Sequence, residues 1–333
     1  MQSREVRLAS RPRGVPTAEN FSFATVEVPE PGPGEVMVRN LWMSVDPYMR
    51  GRMNEGKSYV PPFQIGKPLE GTAVGRVIAS QDASLPVGTH VLSFLGWRET
   101  FVAPAMRLQV VDVRQAPPVA YLGVLGITGL TAWVGLFKIA GLKAGETVFV
   151  SAGAGAVGSA ACQLARLHGC RVVASASSAE KVAYLRDELK VDYGFSYLDE
   201  EPLEHLKKAA PDGLDVYFDN TGGPQLEAAL YALRDFGRVA LCGAIANYNT
   251  PGPGPRNLTL AIGKRLRLEG FIVSDHLKEL PVFLAEAVPA LQAGKLTSRE
   301  TVVEGLDAAP PALMDLLHTG AGNIGKMVVK LGE

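Results

Sequence analysis

Residues 147–158 read Thr147-Val148-Phe149-Val150-Ser151-Ala152-Gly153-Ala154-Gly155-Ala156-Val157-Gly158, and their reading decides the fold. The first four are β-branched or aromatic, as in a buried strand. The glycines that follow satisfy both G-x-G-x-x-G and A-x-x-G-x-x-G, and residues 157–168 then take helical spacing. With 36 glycines in the chain the spacing alone is weak. Its position between a strand and a helix gives it meaning. Gly153 permits a tight turn, Gly155 lets a pyrophosphate approach the backbone, and Gly158 lets the helix lie close on the strand. The helix N-terminus then offers free N–H groups and the positive end of its dipole to an anion. The stretch predicts the phosphate-binding turn of a dinucleotide site.

Downstream, strands alternate with amphipathic helices. Strand-like runs at 171–176, 215–219, 238–242 and 268–273 are interleaved with helical runs at 179–189 and 224–234. This alternation predicts a doubly wound parallel sheet covered on both faces, an α/β domain of the Rossmann type. Upstream the pattern differs. Short β-rich runs at 36–42, 71–78, 90–95 and 99–103 are separated by turns such as Pro31-Gly32-Pro33-Gly34. They predict a compact, barrel-like antiparallel module. Residues 121–140 carry helical spacing broken by glycines. After residue 300 come a strand (TVVEGL), a helix over 309–319 and a last strand over 325–331, which pattern alone does not attach to either part.

The end of the second strand of a dinucleotide domain selects the cofactor. An acid there would hold the adenosine ribose hydroxyls and repel a 2′-phosphate. The segment here is Ala174-Ser175-Ala176-Ser177-Ser178-Ala179-Glu180-Lys181. No acid stands at the strand end, Ser177 and Ser178 can donate hydrogen bonds, and Lys181 supplies a positive charge. The pattern predicts NADPH rather than NADH. The plain alternative for Lys181 is an exposed helix lysine. Asp219-Asn220-Thr221-Gly222-Gly223 and Cys242-Gly243-Ala244 also sit at strand ends, where ligands of open sheets collect. Asn220 offers an amide to a ribose or to the nicotinamide, or it belongs to an Asx turn. Cys242 reads as a buried strand residue.

The remaining composition excludes other classes. The chain has 333 residues, 47% hydrophobic and 20% charged, with a net charge of -1. That suits a two-domain globular enzyme without a general attraction for nucleic acid or anionic membranes. Three cysteines, at 162, 170 and 242, show no paired spacing, and the start lacks an apolar signal core. A cytoplasmic protein is expected. All three cysteines fall in the nucleotide half, Pro68-Leu69-Glu70-Gly71 has no neighbouring His, and the five histidines show no ligand spacing. These features predict a reaction without a metal.

Taken in order, several motifs carry a resemblance. They are Ser44-Val45-Asp46-Pro47-Tyr48-Met49-Arg50, Ala154-Gly155-Ala156-Val157-Gly158-Ser159, Glu180-Lys181-Val182-Ala183-Tyr184-Leu185 and Tyr217-Phe218-Asp219-Asn220-Thr221-Gly222-Gly223. Cys242-Gly243-Ala244-Ile245-Ala246-Asn247-Tyr248-Asn249, Gly270-Phe271-Ile272-Val273 and Asn323-Ile324-Gly325-Lys326 complete the set. The chain resembles, over essentially its whole length, the zinc-independent medium-chain dehydrogenase/reductases. The particular group is that of the prostaglandin reductases, plant alkenal double-bond reductases and bacterial curcumin reductases. The resemblance implies a GroES-like β-barrel catalytic domain (1–122 and 298–333) and a Rossmann NADP-binding domain (123–297). It implies cofactor contacts at Gly155, Ala156, Val157, Gly158, Lys181, Tyr197, Asn220 and Cys242, then at Gly243, Ala244, Ile245, Ala246, Asn247, Tyr248, Phe271, Ile272, Val273 and Asn323. Homodimers are implied as well. One departure stands out. Plant and mammalian members carry a tyrosine just before the segment equivalent to Lys264-Arg265, as acid or oxyanion partner, and this chain has Gly263 there.

The implied reaction is hydride transfer to the β-carbon of an α,β-unsaturated ketone or aldehyde, followed by protonation of the α-carbon. Without a metal, hydrogen-bond donors must come from side chains or from the cofactor ribose. Tyr48 and Tyr248 are the candidates. For Tyr48 the alternative is packing in a Pro-Tyr corner, and for Tyr248 a contact to a cofactor phosphate. Arg50 is a candidate for a substrate carboxylate, or else a surface arginine. Two rival readings share the fold: an NADPH:quinone oxidoreductase, and an NADPH-binding protein without turnover.

Overall fold

In a computed structural model, which describes residues 1–318 and 322–332, every strand anticipated between 147 and 273 is present and parallel. Seven strands precede residue 124: β1 (Gln2–Leu8), β2 (Phe21–Glu27), β3 (Glu35–Ser44), β4 (Ala73–Ser80), β5 (His90–Ser93), β6 (Thr100–Pro104) and β7 (Gln109–Val110). Six follow in the middle of the chain: β8 (Thr147–Val150), β9 (Arg171–Ala176), β10 (Tyr193–Ser196), β11 (Leu214–Asp219), β12 (Leu233–Leu241) and β13 (Arg267–Gly270). Two close it: β14 (Glu300–Glu304) and β15 (Lys326–Lys330). The C-terminal end of the helix expected over 309–319 lies outside the described residues, and the observed helix is Ala309–Leu316.

The chain divides into two units. The first holds Met1–Gly123, Glu300–His318 and residues from Lys326 onward; the second holds Val124–Arg299 with residues 322–325. The C-terminal segment anticipated as one return over 298–333 is therefore split. Gly325 explains the split. Its φ is +70°, and a Cβ on it would stand 2.0 Å from the Arg299 carbonyl oxygen. Its amide donates to Ala154 O at 2.8 Å, pinning it to the glycine turn of the second unit.

The first unit is built on a mixed sheet in the order β14-β15-β3-β4-β5-β7, with β6 also on β3 and β1 paired to β2 apart from it. All its pairings are antiparallel except β14 with β15. Val36, Val38, Val77, Val91 and Phe101 point into one core cluster, the alternation expected of a half-buried sheet. β3 ends at Ser44, and the chain turns at once into a single helical turn, Met49–Arg52.

The second unit holds six parallel strands in the order β10-β9-β8-β11-β12-β13. Numbered within the unit this is 3-2-1-4-5-6, the dinucleotide-binding order, in which the chain reverses between β8 and β11. β8 is buried at all four positions, as a central parallel strand must be. Phe149, Phe195 and Tyr217 stack through the core on one side of the sheet. Two of the departures from the sequence reading have local reasons. β12 begins at Leu233, inside the helical run read over 224–234, because the register shifts between the pairs Leu214–Leu233 and Val216–Arg238. The helix Leu280–Gln292 carries Pro281 in its first turn and Pro289 in its interior, which breaks the sequence signal.

The glycine turn rests on one contact. A Cβ on Gly158 would lie 2.1 Å from Ala152 O, whereas one on Gly270 would meet nothing within 4 Å. Gly158→Ala is expected to lose about 1–3 kcal/mol or more through overpacking, and Gly270→Ala under about 0.5 kcal/mol. Urea unfolding of the two variants tests this; equal midpoints would show that the close packing is relaxed at no cost.

Candidate NADPH and proton-donor site

The helix Ala156–Leu167 starts at the glycine turn with Gly155 in extended conformation. It has neither a side-chain cap nor an acid in its first turn. A Cβ on Gly155 would meet only Ala152 O, at 3.2 Å. Backbone amides at the positive end of a twelve-residue helix, with no side chain laid across them, suit a pyrophosphate. Ala152, in the tight turn, takes a left-handed φ of +48°, uncommon for a residue other than glycine.

The strand ends place the expected 2′-phosphate residues together. Ser196 is the register partner of Ala176, so Ser177 and Tyr197 leave β9 and β10 side by side. Tyr197 N donates to Ala176 O at 3.1 Å. Lys181 stands one turn into the next helix. Ser178 caps that helix by accepting the Lys181 amide at 3.3 Å, so its oxygen has a structural task. The Lys181 ammonium is half-buried, and desolvation lowers its pKa, with neighbouring Glu180 opposing. Glu180 itself is exposed. The group offers hydroxyls and one cation, with no carboxylate between them.

At the β11 and β12 ends a buried carboxylate organises the loops. Asp219 Oδ1 accepts from the Gly222 amide at 2.7 Å, the Thr221 amide at 2.9 Å and the Tyr217 hydroxyl at 2.7 Å. Burial pushes the Asp219 carboxyl above its ordinary pKa, and these donors pull the other way. Ser151 Oγ accepts from the Asn220 amide at 2.9 Å, and Ser151 O accepts from Asn220 Nδ2 at 2.7 Å. The Asn220 amide nitrogen is thus engaged, and its amide oxygen is the group it can offer a ligand. Ser151 and Asp219 were missed as site builders. Their signal was in the strand-end motifs, but their partners lie across the sheet.

The amides of Cys242 and Gly243 donate to Asp219 O at 2.9 and 3.0 Å, and those of Ile245 and Ala246 to Asn220 O and Thr221 O. Loop 242–248 is thereby tied to the Asn220 loop. The Cys242 thiol is pushed up to about 12, by burial and then by Asp219, which keeps it a thiol rather than a nucleophile. The Tyr248 hydroxyl folds back over its own loop. A Cβ on Gly243 would lie 3.2 Å from it. Phe271, Ile272 and Val273 leave the end of β13, with Phe271 edge-on to Phe218 at 6.5 Å. Asn323, 8% exposed, lies two residues before the Gly325 tie to the glycine turn.

In the first unit, Tyr48 begins the single turn Met49–Arg52 and is half-buried. Burial first, and then the charge of Asp46, raise its phenol pKa, so it stays a donor at neutral pH. Arg50 proves to be neither a surface arginine nor an open anchor for a substrate carboxylate. It is 3% exposed, with Nη2 and Nε on Gly14 O at 2.8 and 3.2 Å and Nη1 on Asn54 Oδ1 at 2.7 Å. It ties two loops of the first unit. Gly263 ends the short helix Leu260–Gly263, is exposed, and would leave a Cβ with no neighbour within 4 Å. Among the described residues, no group of three or more His, Cys, Asp or Glu could hold a metal ion.

Known proteins resemble this chain over both units. Residues 4–111 match the family model described as the N-terminal domain of oxidoreductase, and residues 156–288 the model described as zinc-binding dehydrogenase. The chain is 40% identical to the NADP(+)-dependent 2-alkenal reductase of Nicotiana tabacum, over 100% of this chain and 98% of that one. It is 37% identical to the NADPH-dependent curcumin reductase of Escherichia coli, over 97% and 95%. It also superposes on the crystal structure of CurA from Vibrio vulnificus in complex with NADPH with a TM-score of 0.93, at 37% identity and 99% coverage of both chains. At these identities over nearly its full length, the chain belongs to the zinc-independent medium-chain dehydrogenase/reductases, in the group of the 2-alkenal, prostaglandin and curcumin reductases.

Proposed function

We propose that this protein is an NADPH-dependent reductase of the carbon–carbon double bond of α,β-unsaturated ketones and aldehydes. The observation that carries the cofactor half is the grouping of Ser177, Lys181 and Tyr197 at two adjacent strand ends with no acid among them. The substrate half follows from the 2-alkenal, (+)-pulegone and curcumin reductases it is similar to.

NADPH, when bound, supplies the hydride that reaches the β-carbon. The protein does the rest. Gly155 to Gly158 hold the pyrophosphate on backbone amides, and Ser177, Lys181 and Tyr197 hold the 2′-phosphate. Asn220, the loop Cys242–Tyr248, Phe271–Val273 and Asn323 line the remainder of the nucleotide. Tyr48 keeps its proton at neutral pH and delivers a hydrogen bond to the developing enolate or a proton to the α-carbon. Tyr248, folded on its own loop, serves the cofactor, and Tyr48 is the donor of this reading. Arg50 shapes the turn without touching substrate.

The protein works in the cytoplasm as a homodimer in this reading. Its three cysteines are free, and no helix among the described residues is long and apolar enough to cross a membrane. β13, the edge strand of the six-stranded sheet, has backbone left to pair with a second copy.

Lys181→Ala is expected to raise KM for NADPH roughly 10–100-fold, the worth of one charge-assisted hydrogen bond, and to leave KM for NADH within about threefold. Equal effects on both cofactors would remove Lys181 from the phosphate site. Tyr48→Phe should lower kcat on an enone by about 10²-fold or more with little change in KM for NADPH; an unchanged kcat removes it as donor. A panel of an enal, an enone, a quinone and a saturated aldehyde, followed by NADPH absorbance, tests the reaction class. Saturated products from the enal and enone are expected. Turnover of the quinone alone would make the protein a quinone reductase, and no turnover with any of them a binding protein.

A further inference from the structure

Lys326 opens β15 with a side chain only 4% exposed. An ammonium has three donor hydrogens, and three oxygens surround this one: Asp46 Oδ1 at 3.0 Å, Val45 O at 2.7 Å and Met327 O at 3.0 Å. The Ser44 hydroxyl donates to the second Asp46 oxygen. The backbone adds two ties. The Ser44 amide donates to Thr72 O at 2.8 Å and the Val45 amide to Met327 O at 3.3 Å. Residues 44–46 are thus held through main chain and side chains alike, with one buried cation at the centre.

These residues lead directly into the Tyr48 turn. β3 ends at Ser44, and the Asp46 carbonyl accepts the Met49 amide at 3.1 Å. The Pro47 and Tyr48 carbonyls then accept the Arg50 and Gly51 amides at 3.1 and 3.0 Å. Pro47 has a fixed φ, so few backbone rotations remain between Asp46 and the Tyr48 side chain. The turn Met49–Arg52 is four residues long, far too short to hold its place by its own hydrogen bonds. Its direction has to come from its anchors. A buried ion pair adds little net stability, because both charges give up water, and an apolar pair of similar volume would fill the same space without that cost.

We propose that Lys326 is a positioning residue for the reduction: by fixing the Val45 carbonyl and the Asp46 side chain, it sets the turn from which Tyr48 addresses the substrate. Lys326 acts through Tyr48 and gives up no proton. The phenol hydroxyl lies at the far end of a long side chain, so a small rotation of the turn at Asp46 moves the hydroxyl further than it moves the backbone. A proton donor has to stand within about 2.6–3.2 Å of the atom it serves, and a misplacement of about 1 Å can cost about 10²-fold in rate. The three contacts of the ammonium remove that freedom.

This inference rests on Tyr48 being the donor, and a double-mutant cycle on the full-length protein separates the two ideas. With NADPH and an enone, Lys326→Met is expected to lower kcat roughly 10–100-fold, with KM for NADPH within about twofold. In the Tyr48→Phe background it should cost nothing further. Adding Asp46→Asn to Lys326→Met removes the unpaired carboxylate. It should return the thermal midpoint toward that of the wild type while kcat stays low, because nothing then grips the Val45 carbonyl. If Lys326→Met does not fold, Ser44→Ala serves instead, since it removes only the hydroxyl on the second Asp46 oxygen. It should lower kcat several-fold in the wild type and leave the Tyr48→Phe variant unchanged. An unchanged kcat for Lys326→Met, a full additive loss in the Tyr48→Phe background, or a kcat that recovers together with the thermal midpoint would each overturn the role of Lys326 while leaving Tyr48 as donor. An unchanged kcat for Tyr48→Phe alone would overturn the donor reading, and this inference with it.

Discussion

The helix Ala156–Leu167 can reach the glycine turn only because position 158 has no side chain, and much of the second unit depends on that approach. Ala152 O occupies the space a Cβ would need. With the helix drawn in, its first-turn amides face outward past Gly155, uncapped and free of acid. The same turn offers Ala154 O to the Gly325 amide, which fastens the segment carrying Asn323 beside it. One steric allowance therefore serves two ends. It creates an anion site, and it recruits a piece of chain more than 160 residues downstream to that site's border.

A second organising interaction is electrostatic. Asp219 is almost wholly buried, yet it is tolerated because backbone amides and a tyrosine hydroxyl converge on it. Its backbone carbonyl also takes the amides of Cys242 and Gly243. Two strand-end loops are thereby locked to each other before any ligand arrives. Such preorganisation lowers what ordering the site would otherwise cost on binding. The first unit repeats the device with cations. Lys326 holds Asp46, and Arg52 is held by Glu70 and Pro61, both within a few residues of Tyr48. Buried arginines serve different ends within one turn: Arg50 ties Gly14 and Asn54, and Arg52 holds Pro61, Glu70 and the Phe63 ring.

The chemistry asked of such a site is modest in parts and demanding in arrangement. Hydride comes from the cofactor, so the protein needs an anion cradle, a discriminating 2′-phosphate contact and one donor that remains protonated. Burial and the nearby Asp46 charge raise the Tyr48 phenol pKa, so that this hydroxyl remains protonated at neutral pH.

How much of this was legible in the sequence depends on the range of the physics. The strand–glycine–helix stretch, the missing acid after β9 and the Lys181 cation are local, and the chain alone determined them. Backbone conformation, steric allowance at glycine and charge at a strand end need only neighbours in sequence. The alternation of strands and helices likewise determined a parallel sheet, because burial on both faces writes itself as apolar runs. The start of β12 and the helix Leu280–Gln292 were not legible. A register shift and an interior proline are settled by the sheet and the packing around them. The tasks of Arg50 and Arg52 were decided only by tertiary structure. The two lie two residues apart, and sequence does not say which guanidinium finds Gly14 and Asn54 and which finds Pro61, Glu70 and Phe63. Those partners come from loops brought together by folding, and the direction a long side chain takes is fixed by whichever acceptors the fold has buried nearby.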